Sequence, residues 1–240
     1  MANPFKDIKE LTREVENYLR KNRSALYNNS KRISDFFEMA CYNNVVRFYE
    51  NNGYEVSIKN LIKNKFKYKC TTAGNPENYS FFEAVYKIGK LAFHYEIRHN
   101  INIQSYHTDD TYTTPDISIL KPNQVQIDDD FYLSKQKYYY IKNSSLISFC
   151  EVKNFTPYPE LLFNFIGVTN ELKPKLLAKV KQSGKRHIST SLMISGKSNR
   201  HTDKIISNLQ DRYHINVICD LFNIGGVTFG KRSYNRLKTV

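Results

Sequence analysis

The chain has 240 residues, with 36 Lys or Arg against 23 Asp or Glu and a formal net charge of +13. Hydrophobic residues make up 40%, enough for one large buried core. No apolar run nears the roughly 18 residues of a membrane-spanning helix, and the basic excess points to a polyanionic partner, nucleic acid before others, over the plainer reading of a Lys-rich surface.

Residues 1–30 read as an N-terminal helix and linker. Phe5, Ile8, Leu11, Val15, Tyr18 and Leu19 recur at helical spacing, and "SALYNNSKR" is polar. The opening "MANPFKDIKELTREVENYLRK" is too charged for a signal peptide. A second helix is predicted from about Ser34 to Asn51, striped by Phe36, Phe37, Ala40, Cys41, Val45 and Phe48 and ended by Asn52-Gly53. "YEVSIKNLI" reads as a strand. "IKNKFKYKC" alternates, so as a strand it would carry Lys63, Lys65, Lys67 and Lys69 on one face. "FFEAVYKIGK" reads as a short helix and "LAFHYEIRHNINIQS" as a strand.

From Pro115 the order becomes regular. "PDISIL" is a strand, residues 121–145 a polar insertion, and "LISFCEV" a strand. "YPELLFNFIGVTNELK" is a helix with a proline entry. "HISTSLMIS", "HTDKIISNLQDRY" and "INVICDLF" follow as strand, helix and strand. This alternation predicts an α/β fold, with residues 31–240 as its main domain. Cys41, Cys70, Cys150 and Cys219 are far apart and form no C-x-x-C pair. Reduced thiols in the cytoplasm are expected, and a structural zinc site is not.

The chemistry centres on "ISFCEVKNF". Glu151 and Lys153 sit two apart in an apolar strand, on one side and about 7 Å apart along it. Strict alternation puts Ile147 and Phe149 on that side too. Charge in such a place costs several kcal/mol unless it is paired or binds something. Asp116 opens the preceding strand. An Asp and a Glu on neighbouring strands make an oxygen-rich pocket suited to Mg²⁺. A lysine beside it can orient a water and offset charge in a phosphoryl transition state.

Pro115-Asp116 followed by Glu151-Val152-Lys153, on two strands and then a helix, resembles the PD-(D/E)xK nucleases, the restriction-endonuclease-like superfamily. The resemblance covers roughly residues 31–220 and implies a mixed central sheet flanked by helices. It implies that Asp116, Glu151 and the backbone carbonyl of Val152 hold Mg²⁺, for which Mn²⁺ substitutes, and that Lys153 assists the attacking water. The reaction implied is phosphodiester hydrolysis in nucleic acid, DNA favoured, and dimerisation to cut both strands is common among relatives. The role implied is restriction or phage defence. The alternative is a non-catalytic nucleic-acid-binding protein on the same fold.

Many members add an acid from the helix before the sheet. Glu38, at the margin of the apolar stripe, is the candidate, beside the plainer reading of a solvated glutamate. Glu96 is a second. For nucleic-acid contact the candidates are the lysines at 63, 65, 67 and 69 together with Lys185 and Arg186, within the basic run from Lys173 to His187. Gly196-Lys197-Ser198 lacks the upstream glycine of a P-loop, since Ser191 stands there, and reads as a basic turn.

Overall fold

The computed structural model describes residues 8–27, 32–122, 125–129, 137–178, 186–221 and 236–240. Helix α1 (Ile8–Lys21) buries Leu11, Val15, Tyr18 and Leu19, one face at the expected spacing. Helix α2 (Ile33–Asn51) is buried around most of its circumference, which its near-continuous apolar run requires. The chain turns at Gly53, whose φ of +84° favours glycine. Arg47 joins the two helices: it pairs with Glu14 at 2.6 Å and lies over the Tyr18 ring. The apolar face of α1 therefore lies in the same core as α2.

The strands are β1 (Glu55–Lys59), β2 (Phe81–Ile88), β3 (Leu91–His99), β4 (Ile103–Gln104), β5 (Tyr112–Thr113), β6 (Ile117–Leu120), β7 (Gln126–Asp128), β8 (Tyr138–Tyr140), β9 (Leu146–Lys153), β10 (Ser191–Ile194) and β11 (Asn216–Ile218). Seven form the central sheet in the order β1-β2-β3-β6-β9-β10-β11. Pairing is antiparallel from β1 to β9 and parallel from β9 to β11. The parallel steps need crossovers, supplied by α3 (Pro159–Leu172) and α4 (Arg200–Arg212). One apolar cluster joins α1 and α2 to the sheet, and a second joins α3 and α4 to it. The protein is thus mixed α/β, a seven-stranded mixed sheet between helices. Among the described residues no helix is long and apolar enough to cross a membrane.

Two segments differ from the sequence reading. "FFEAVYKIGK" forms β2 instead of a helix. Phe82 and Ala84 alternate inward, and Gly89 (φ +58°) turns the chain so that Ile88 pairs with Leu91. "IKNKFKYKC" is not a strand with one basic face. Ile62 and Lys65 pair across a two-residue turn in which Lys63 and Asn64 both have positive φ. Beyond it Phe66, Tyr68 and Lys69 are all buried, because Phe66 and Tyr68 join Tyr42 and Phe82 in an aromatic cluster. Residues 121–145 contain β7 and β8, which pair with each other antiparallel and are not strands of the central sheet.

Candidate active site

Register brings the motif together. Ile117 pairs with Cys150 in the antiparallel β6–β9 ladder, so Asp116 stands one step further on, opposite Glu151. A bulge separates the Ile119–Ser148 and Leu120–Leu146 pairs and absorbs Ile147. Ile147 consequently packs towards the α1–α2 side, while Leu146 and Phe149 pack towards α3 and α4. Glu151 and Lys153 share a face with Phe149 but not, as strict alternation predicts, with Ile147.

Lys153 Nζ lies 3.0 Å from Asp116 Oδ2 and 2.8 Å from Glu151 Oε2. Asp116 Oδ2 also accepts from the Val152 backbone N–H at 2.6 Å. The two carboxylate side chains are 13% and 12% exposed. Burial, and then the Asp116 charge, push the Glu151 carboxyl up to about 7. Burial also raises Asp116, against the pull of Lys153. Lys153 goes the other way: burial alone would lower it, but its two acids raise it, so it stays an ammonium.

Glu38 joins this group from α2. Its Oε2 lies 3.5 Å from His99 Nε2 and accepts from Asn100 Nδ2 at 3.4 Å. Burial would raise this carboxyl, yet His99, Asn100 and the charge of Lys153 hold it below its ordinary value. Its charge is also felt at Asp116 and Glu151. Asn100 ties the corner together. It adopts φ +49°, a region Asn tolerates, and its N–H donates to the Asp116 carbonyl at 2.9 Å. His99, with His94 and His107, is a possible metal ligand whose spacing matches no zinc signature, and Asn100 carries no sequence signal; what brings both to Glu38 is a backbone turn invisible to residue patterning. Glu96 lies elsewhere, paired with Arg98 at 2.6 Å, with Arg98 reaching on to Glu77.

The basic candidates divide. Lys63, Lys65 and Arg186 are exposed, and Lys67 lies over the Tyr79 ring at 4.6 Å. Lys185 falls outside the described residues. Lys69 does not belong to a solvent-facing strip: it is buried and its ammonium donates to the carbonyls of Thr71, Thr72 and Asn100 at 2.5, 3.0 and 2.8 Å. Burial brings its pKa down to about 8.

Gly196 has a role that the P-loop comparison missed. A Cβ there would lie 2.5 Å from Thr156 Cα and 2.7 Å from Phe155 O. Glycine lets the end of β10 press against the loop leaving Lys153, and the Ser195 N–H donates to the Lys153 carbonyl at 3.1 Å.

Among the described residues no three His, Cys, Asp or Glu side chains are arranged to hold a metal ion by themselves. What the site offers is two hard carboxylates with oxygens within 3.0 Å of one point, the Lys153 ammonium. Fully ionised, the three acids and one lysine leave an excess of two negative charges. That donor set fits a divalent cation completed by the Val152 carbonyl and water. No protein-family model, curated protein or solved structure matches the chain.

Proposed function

We propose that the protein is a Mg²⁺-dependent nuclease of restriction-endonuclease-like architecture, hydrolysing phosphodiester bonds, in DNA before RNA. The observation that carries the reading is the convergence of Asp116, Glu151 and Lys153 on one point at the end of two central strands. A purely nucleic-acid-binding surface has no use for buried carboxylates next to its phosphates. Asp116, Glu151 and the Val152 carbonyl would hold Mg²⁺ or Mn²⁺, which supplies Lewis acidity towards the phosphate and its attacking water. Lys153 then turns from bridging two acids to steadying the water and the developing phosphoryl charge. Glu38 adds negative potential from α2 and, through Asn100, holds the backbone that carries Asp116. A homodimer acting on both strands and a role in restriction or phage defence extend the same reading.

Purified protein incubated with plasmid, linear DNA and RNA, with Mg²⁺, Mn²⁺ or EDTA, tests it. Cleavage is expected with metal and not with EDTA, and Asp116→Asn, Glu151→Gln and Lys153→Ala should each abolish it. Cleavage surviving in all three variants overturns the assignment. A protein that binds DNA with a steep salt dependence and cuts nothing under any metal is the non-catalytic binder instead.

A further inference from the structure

A second cluster of charge lies at the other ends of the same strands. Lys121 follows the last residue of β6, Leu146 begins β9, and Lys173 follows the last residue of α3. With Lys175 they line a cavity of about 410 Å³ that is also walled by Tyr95 and Tyr106. From Leu146 to Glu151 the strand runs about 17 Å, so this cavity and the carboxylate site are separate.

The lysines are oddly placed for a structural role. Lys173 is half-buried, with its ammonium fixed on the Leu146 carbonyl at 2.8 Å. Burial, then Lys121 and Lys175, lower its pKa, so the three charges are close enough to repel. Lys175 stands over the Tyr106 ring at 5.9 Å. Among the described residues none of the three has a carboxylate partner. The acid close by, Glu171, takes its hydrogen bond from the Ser105 hydroxyl. Lys121 and Lys175 are exposed and solvated, but half-buried Lys173 carries its charge beside both, and an anion seated among the three would offset that repulsion. The volume falls in the range of small-ligand sites, and Leu146, Ile147 and Leu176 supply an apolar wall.

The geometry points to a binding site for a small polyphosphorylated ligand with an aromatic body, a nucleoside di- or triphosphate. The phosphates would lie among Lys121, Lys173 and Lys175, and the base against Tyr106 and the apolar wall. This site does not depend on the nuclease reading. Mg²⁺ is left out of its test so that the carboxylate site contributes nothing.

The test is calorimetry and thermal melting of the full chain in EDTA with ATP, GTP, inorganic tripolyphosphate, adenosine and a short single-stranded oligonucleotide. ATP or GTP should bind and raise the melting temperature, tripolyphosphate should bind more weakly, and adenosine should not register. Lys121→Ala/Lys175→Ala, at two exposed positions, should weaken nucleotide binding by about tenfold or more. Tyr106→Ala should weaken ATP but not tripolyphosphate. The proposal fails if no nucleotide binds, or if the double variant binds as wild type does. It fails equally if tripolyphosphate matches ATP, which leaves a bare phosphate site. Binding of the oligonucleotide alone, lost in the double variant, would make this a nucleic-acid surface instead.

Discussion

Replacing Glu151 by Gln tests the electrostatics without removing volume. In the native protein this carboxyl holds its proton up to about pH 7, against 4.5 for an ordinary glutamate. Between those values the native state binds more protons than the unfolded chain. Stability from this group is therefore complete below pH 4.5 and lost as pH rises through 7. At about 1.4 kcal/mol per pKa unit, the loss is of the order of 3 kcal/mol by pH 8. The side chain is only 12% exposed, so solvent screening takes little from that figure. Gln stays neutral, and Lys153 keeps Asp116 as its counter-ion. In EDTA, urea denaturation should show the variant gaining on wild type from pH 5 to 8 by roughly that amount. Mg²⁺ or Mn²⁺ at pH 8 should then stabilise wild type by mass action and leave the variant unchanged. Parallel stability curves for the two proteins across this range, or equal stabilisation by metal, would refute the reasoning.

Other substitutions probe the surrounding structure. Lys153→Ala leaves two buried carboxylates facing each other, so it should cost about 3–5 kcal/mol at pH 8 and less at pH 5, where Glu151 keeps its proton; urea titration at the two pH values measures this. Gly196→Ala forces a methyl against Thr156 backbone at 2.5 Å, and a loss of about 1–3 kcal/mol in thermal or urea unfolding is expected, with slower cleavage as the Lys153 loop shifts. Lys69→Ala strips the partner from three carbonyls and should lower stability by about 1–3 kcal/mol. Lys63→Ala/Lys65→Ala should stay within about 0.5 kcal/mol of wild type while flattening the salt dependence of DNA binding by roughly two counterions.

The helices and every strand of the central sheet but β2 were legible because each rests on a local period, as does the shared side of Glu151 and Lys153; the meeting of these two with Asp116 rests on the register between strands. Leu11, Val15 and Leu19 mark a helix face wherever the chain goes. Ser148, Cys150 and Val152 mark a buried strand face in the same way. The lysine run misled because period two was read as a strand when the residues held a turn. Lys63 and Asn64 adopt positive φ, and neither type announces it as glycine does. Phe81–Ile88 misled for the opposite reason: helix-tolerant residues such as Glu83 and Ala84 were recruited to pair with β1 and β3, a tertiary choice. His99 and Asn100 reach Glu38 only through the turn after β3. Nothing in residue order alone brings α2 to that corner.

The place of the triad follows from where the sheet changes character. β9 is antiparallel to β6 and parallel to β10, so it is the pivot between the two halves. A parallel neighbour obliges the chain to leave the sheet after Lys153 and return over it as α3. An antiparallel neighbour obliges β6 to begin at that same end. The start of one strand and the end of the other are thereby side by side, with β10 running alongside as Leu192 and Ile194 pair with Glu151 and Lys153. Side-chain direction then rests on register, since a slip of one residue would send Asp116 to the α1–α2 side and leave Glu151 without it. The bulge that absorbs Ile147 guards against this. It lets Leu146 fill the α3–α4 core while Glu151, five residues on, keeps the same face. Deleting Ile147 should accordingly force a choice between the core contact of Leu146 and the alignment of the triad. A variant that keeps both full stability and full cleavage would show that the bulge has no part in setting the site.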